Sequence, residues 1–78
     1  MLVVGQNYSG GVDFPKCSIV VSEKYIVPII TKRSVIIGQI NNTAPFGAYK
    51  DENRAREVMY EICRAFASGE RYFMLPAE

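Results

Sequence analysis

Short runs of β-branched and aliphatic residues, separated by polar turn residues, dominate the first two-thirds of the chain. The runs that this pattern predicts as strands cover residues 2–4, 18–23, 25–31, 35–40 and 46–49, while residues 11–15 form a short strand or a loop. Segments of this length that are rich in Val and Ile are typical of β-strands. Every connection between them is too short for a parallel crossover, so we expect an antiparallel meander of about five strands.

The last third of the chain changes from strand periodicity to helix periodicity. Apolar residues recur at spacings of three and four between Ala55 and Phe66, which predicts an amphipathic helix. Asp51 is a suitable N-cap, and Gly69 suits the position just beyond the C-cap. Residues 71–75 then form a terminal strand. We therefore predict an α+β fold, an antiparallel β-meander of about five strands packed by one α-helix, followed by a short C-terminal strand.

The amount of apolar surface predicts self-association. The 78 residues are enough for one domain, residues 1–78. The runs at residues 19–21 and 35–37 place apolar side chains at successive positions, which point to opposite faces of a sheet. One helix shields only one face, so we expect a second copy of the chain or a ligand against the other. We predict a homo-oligomer.

Charge and hydropathy argue against two classes of partner. Nine Lys and Arg residues against eight Asp and Glu residues give a formal net charge of +1, which argues against nucleic-acid binding. No segment approaches the roughly 20 apolar residues of a membrane span, and no signal peptide is recognisable, so we expect a cytoplasmic protein. We expect Cys17 and Cys63 to be buried reduced thiols, although the sequence leaves a disulfide between them open.

The residue types also argue against an enzyme. The chain has no His, which is the commonest general base and a frequent metal ligand. We therefore predict no catalytic residues, no metal and no cofactor. Glu57 and Glu61 lie one helical turn apart, and we interpret them as part of a salt-bridged helix surface rather than as an acid–base pair.

The strongest candidate site is a stripe on the predicted helix. Arg56, Tyr60 and Arg64 follow one another at intervals of four residues, which places two guanidinium groups around one phenol ring. Arginine donors fit phosphate, and an aromatic ring offers a stacking surface for a base, so this pattern is typical of a nucleotide site. The alternative is an ordinary polar surface in which Arg64 pairs with a nearby Glu.

Two loops provide further candidate ligand-binding residues. Asn7 and Tyr8 belong to a Gly-rich segment whose backbone could approach a ligand closely. Lys32 and Arg33 form a small cationic spot at a predicted hairpin tip. The alternative for both segments is a solvated turn. We assign three phenylalanines to the core: Phe14, Phe46 and Phe73.

The C-terminal part of the chain resembles a group of small proteins encoded by phages and prophages of Firmicutes. Those proteins show a strand ending in Gly-x-Tyr, a short acidic cap, and a helix of the pattern Ala-Lys/Arg-x-Val-Leu/Met-x-Glu-Ile. The corresponding segments here are residues 47–49, 51–52 and 55–62. The group often ends with a Gly-containing turn and a strand closing on Met-Pro or Phe-Pro, which Gly69 and residues 72–76 resemble.

This resemblance covers about the last 30 residues and implies a function. Some small phage proteins of similar build are anti-defence sponges, which sequester the cyclic nucleotide or ADP-ribose signals of the Thoeris and CBASS immune systems without cleaving them. They are commonly oligomers. The resemblance thus implies a non-enzymatic, oligomeric protein that binds a small anionic nucleotide in the cytoplasm of the bacterial host. The alternative is a protein–protein interaction module that inhibits a host defence enzyme by strand addition at a sheet edge.

Overall fold

The computed structural model describes residues 1–6, 10–31, 36–38 and 45–78. In chain order the described elements are β1 (Leu2–Val4), β2 (Gly10–Asp13), β3 (Ser18–Ser22), β4 (Tyr25–Ile29), β5 (Ile36–Gly38), β6 (Gly47–Ala48), α1 (Glu52–Ala67) and β7 (Tyr72–Met74). The α+β class is confirmed, with strands packed by one helix and a short strand after it.

The strands divide between two sheets. One has the order β5-β2-β1-β7 and the other the order β3-β4-β6. Pairing among the strands that precede α1 is antiparallel, as expected. β7 pairs in parallel with β1, with Val3 opposite Phe73. The long connection through α1 makes this parallel pairing possible.

A tight turn carries the chain from one sheet to the other. Residues 14–16 form the turn after β2, and the N–H of Cys17 donates to the carbonyl of Asp13 at 2.7 Å. The turn contains a cis peptide bond between Phe14 and Pro15. Because β3 leaves this turn away from β2, β3 and β4 form a hairpin in the second sheet instead of extending the first.

The ends of α1 follow the local signals in the sequence. Asp51 is the N-cap, and its Oδ1 accepts the N–H of Arg54 at 2.8 Å. At the other end the N–H of Glu70 donates to the carbonyl of Ala65 at 3.0 Å, and the N–H of Gly69 donates to that of Phe66 at 3.1 Å. These two bonds form a Schellman motif, which requires a left-handed residue at the position of Gly69, where φ is 79°.

The core lies where α1 contacts β3, β4 and β7. Three helix residues at helical spacing, Ala55, Val58 and Ile62, are fully buried. The other buried apolar residues come from both sheets and their connections: Val3, Val12, Cys17, Ile19, Ile26, Phe46, Tyr49 and Leu75. α1 is therefore the element that joins the two sheets into one core.

The structure confirms some of the predictions for the core and differs from others. Phe46 is buried as predicted, whereas Phe14 and Phe73 are only partly buried and pack against the core. The expectation of a buried thiol is confirmed for Cys17 and wrong for Cys63, which is exposed. Cys63 is exposed because it lies about 100° around the helix from the buried Ile62 and therefore outside the buried face. Both thiols are free, so no disulfide joins them.

The outer sides of both sheets carry exposed apolar side chains. On the first sheet Tyr72 and Met74 of β7 are 63% and 42% exposed and alternate with Phe73, which points towards the core. On the second sheet Val20 is 41% exposed and lies opposite the half-buried Val27. Since α1 packs on the inner sides, each sheet has an outer side with apolar residues that α1 does not cover.

We predict that Gly69→Ala lowers the free energy of unfolding by about 1 kcal/mol. A Cβ at this position would meet no atom within 4 Å, so the cost comes from the left-handed backbone alone. Thermal unfolding should show a loss of about 4–8 °C in Tm. Gly69→Asn is the matched control and should lose less, since Asn tolerates this conformation. Equal losses for both variants would contradict the backbone explanation.

Candidate functional site

The predicted helix stripe lies on the exposed side of α1. Arg56 and Arg64 are exposed, and the ring of Tyr60 is 65% exposed. The guanidinium carbon of Arg64 lies 5.8 Å from the centroid of the Tyr60 ring. This is a cation–π contact, worth roughly 0.5–1 kcal/mol at an exposed site. Tyr60 therefore holds the Arg64 guanidinium in place while leaving its N–H donors accessible.

The two arginines of the stripe differ in their partners. The Nη2 of Arg56 lies 3.1 Å from Oε1 of Glu52, one turn earlier on the helix. No carboxylate of the described residues lies within 4.0 Å of the Arg64 guanidinium. The interpretation as an ordinary salt-bridged surface thus fits Arg56, whereas Arg64 keeps its charge available.

Arg64 lines a groove between the last turns of α1 and strand β7. The groove has a volume of about 350 Å³, and its walls are formed by Glu61, Arg64, Ala65, Ser68, Glu70, Tyr72 and Phe73. Its lining includes a cation, two aromatic rings, two hydroxyls and two carboxylates. Arg56 does not line it, so the structure separates the predicted stripe into a part at this groove and a part outside it.

The Schellman motif positions the two walls of this groove. Its left-handed Gly69 reverses the chain direction within a few residues of Arg64. The N–H of Leu2 then donates to the carbonyl of Arg71 at 2.9 Å, which anchors the start of β7 beside β1. Side chains alternate along β7, so Phe73 points towards the core and Tyr72 towards solvent. Both residues contribute to the lining of the groove. Sequence reasoning missed Tyr72 because no periodicity links it to the helix.

A second, larger cleft lies at the N-terminal end of α1. It has a volume of about 480 Å³ and is lined by Ala48, Tyr49, Lys50, Arg54, Glu57, Ala77 and Glu78. The guanidinium of Arg54 is already occupied there. Its Nη1 lies 3.2 Å from Glu57 and 3.5 Å from Glu61, and its Nε and Nη2 donate to the carbonyl of Glu78. This arginine therefore stabilises the fold and leaves little donor capacity for a ligand.

The same end of the molecule is held by the side chain of Gln6. Its Oε1 accepts the N–H of Ala48 at 2.8 Å, and its Nε2 donates to the carbonyls of Pro76 and Ala77 at 2.9 and 3.1 Å. One amide thus links β6 to the C-terminal residues. No local pattern in the sequence distinguishes Gln6, since its partners lie 42 to 71 positions away.

Tyr49 supplies the buried phenol of this region. Its hydroxyl donates to the carbonyl of Pro76 at 3.0 Å. Burial raises the pKa of Tyr49 to about 12, although the positive charge of Arg54 opposes this shift. A phenol that stays protonated and bonded to a carbonyl is a structural group. Tyr49 does not line the groove between α1 and β7.

The remaining predicted site residues lie outside the described residues: Asn7, Tyr8, Lys32 and Arg33. Within the described ranges no three side chains of His, Cys, Asp or Glu are grouped so that they could hold a metal ion. Among the same residues no helix has the length and apolar character that a membrane span requires.

Comparison with known proteins gave no relative. No protein-family model, no curated protein and no solved structure matches the chain.

We predict that ionisation of Tyr49 destabilises the fold above pH 10. The phenol ionises near pH 10 in the unfolded chain but near pH 12 in the folded one, so stability is lost as the pH rises through this interval. The expected loss is about 1 kcal/mol between pH 9 and pH 11. Urea unfolding at both pH values measures it.

Two variants isolate this effect. Tyr49→Phe has no ionisable group and should show a smaller loss between pH 9 and pH 11, despite a lower stability at pH 9. Tyr60→Phe is the exposed control and should retain the wild-type loss. If Tyr49→Phe and the wild type lose equal stability over this interval, the buried phenol is not the responsible group.

Proposed function

We propose that this protein is a non-enzymatic binder that sequesters a small anionic nucleotide, in the manner of the phage anti-defence sponges that its C-terminal segment resembles. The ligand class is a cyclic nucleotide or ADP-ribose-derived immune signal. The observation that carries the proposal is Arg64, a guanidinium without a carboxylate partner among the described residues, at the wall of a groove that also contains aromatic rings.

The groove offers the two contacts that a nucleotide requires. Arg64 can donate parallel N–H bonds to phosphate oxygens, and Tyr60 behind it restricts the guanidinium to a few orientations. Tyr72 presents a largely exposed ring on the opposite wall, where a base can stack. A base and a phosphate of the same nucleotide can therefore contact β7 and α1 together.

The helix carboxylates support a binding role over catalysis. Glu57 and Glu61, which the sequence pattern favours as a salt-bridged surface rather than as an acid–base pair, both lie within 3.5 Å of Arg54. A carboxylate that is hydrogen-bonded to a guanidinium is constrained in position. This arrangement favours a protein that holds its ligand without changing it.

The exposed apolar sides of the sheets support self-association, which we include in the proposal. Met74 on one sheet and Val20 on the other belong to apolar surface that α1 does not cover. Burial of such surface against a second copy removes it from water and contributes roughly 25 cal/mol per Å². The alternative, a module that binds a host defence enzyme, would use the same surfaces and the outer edges of β3 or β7.

We predict that Arg64→Ala weakens nucleotide binding by about 10- to 100-fold, because a charge-assisted hydrogen bond contributes roughly 1.5–3 kcal/mol. Isothermal titration against cyclic dinucleotides, cyclic trinucleotides and cyclic ADP-ribose isomers measures this effect. Arg56→Ala is the matched control and should bind like the wild type, since Arg56 pairs with Glu52 and lies outside the groove. Absence of heat with every ligand would contradict the proposed function.

For assembly, we predict a mass above the monomer value of 8.8 kDa by light scattering at tens of micromolar protein. Met74→Lys and Val20→Lys each place a charge on one outer sheet surface, and the variant at the true interface should reduce the mass to that of a monomer. Arg56→Ala should keep the wild-type mass. A monomeric wild-type protein would contradict self-association and favour the alternative of a different protein partner.

A further inference from the structure

The groove between α1 and β7 contains more negative than positive charge. Arg64 is its cation, and Glu61 and Glu70 are its carboxylates. Glu61 is partly neutralised, since its Oε2 lies 3.5 Å from the Nη1 of Arg54. Glu70 is exposed, and no cation of the described residues lies within 4.0 Å of it. The groove therefore offers one strong donor group and one strong acceptor group that are both unoccupied.

The C-terminal end of α1 adds to the excess of negative charge at the groove. The C-terminal end of a helix carries a partial negative charge, although the bonds of the Schellman motif satisfy the carbonyls of Ala65 and Phe66. A ligand with several phosphates in this groove would place the second and third beside a carboxylate and the negative helix end. One phosphate at Arg64 is favourable, whereas further phosphates are repelled.

A ligand that reaches the Glu70 carboxylate has to donate hydrogen bonds to it. An ionised Glu accepts only, and its two oxygens can accept the two O–H groups of a vicinal diol. Hydrogen bonds of this O–H to carboxylate type are short and strong. A ribose with free 2′ and 3′ hydroxyls is such a donor, and carboxylates bind ribose hydroxyls in other nucleotide sites. The volume of about 350 Å³ is near the lower limit for ligand sites and suits one nucleotide unit.

We infer that the groove recognises a nucleotide unit with a free ribose cis-diol, with its phosphate at Arg64, its diol at Glu70 and its base against Tyr72. This inference depends on the proposed nucleotide-binding function and narrows it. It selects ligands that keep an intact ribose diol over cyclic dinucleotides, in which one hydroxyl of each ribose is esterified. The specificity for the diol resides in Glu70, which the sequence pattern did not indicate.

The test compares two small probes that differ only in the diol, adenosine 5′-monophosphate and its 2′,3′-dideoxy analogue. Titrations of the full chain are followed by ¹H–¹⁵N NMR, which detects weak binding. We expect the wild type to bind the diol-bearing probe about tenfold more tightly. Glu70→Gln should reduce this preference to about twofold or less, while Glu23→Gln, on the β3–β4 turn, should retain it. Arg64→Ala should weaken the binding of both probes by a similar factor.

The outcomes separate the inference from the proposed function. If the wild type binds both probes equally, or if Glu70→Gln keeps the full preference, the inference is overturned while nucleotide binding stands. If the wild type binds neither these probes nor the cyclic ligands, the proposed function fails and the inference fails with it. The NMR spectrum of each variant reports directly whether it is folded, so loss of binding is not confused with unfolding.

Discussion

The structure depends on the burial of one narrow face of α1 against strands of both sheets. Ala55, Val58 and Ile62 are fully buried, and they contribute most of what the helix adds to the core. The apolar face of a sheet has to be buried against another element, and the helix face provides this partner for strands of both sheets. Full burial of Val58 or Ile62 contributes roughly 1.5–3 kcal/mol each, a substantial share of the stability expected for so short a chain.

This constraint also determines where polar chemistry is placed. Because the buried face of α1 is narrow, the rest of its circumference is available for charged and aromatic residues. At the N-terminal end of α1 the charged Arg54 takes part in the fold, because it holds the C-terminal residues together with Tyr49 and Gln6. At the C-terminal end Arg64 and Glu70 have no ion-pair partner among the described residues. The two ends of one helix thus divide into a structural region and a candidate binding region.

The candidate site was only partly predictable from the sequence. Helix spacing correctly placed Tyr60 beside Arg64, because neighbours four residues apart contact each other on any regular helix. The same spacing grouped Arg56 with them, but Arg56 pairs with Glu52 and does not line the groove. Tyr72 and Glu70 could not be found in this way, since their position beside α1 depends on how the chain reverses and on which strand β7 joins.

By itself the sequence determined the α+β class, the limits of α1, its Asp51 cap and the left-handed Gly69. These features depend on bonds between residues at most five positions apart, so local patterns are sufficient. Only the tertiary structure decided the division into two sheets, the parallel pairing of β1 with β7 and the clamp of Gln6. Their partners are separated by most of the chain, and which distant strands meet is decided by the joint burial of apolar surface rather than by any local pattern.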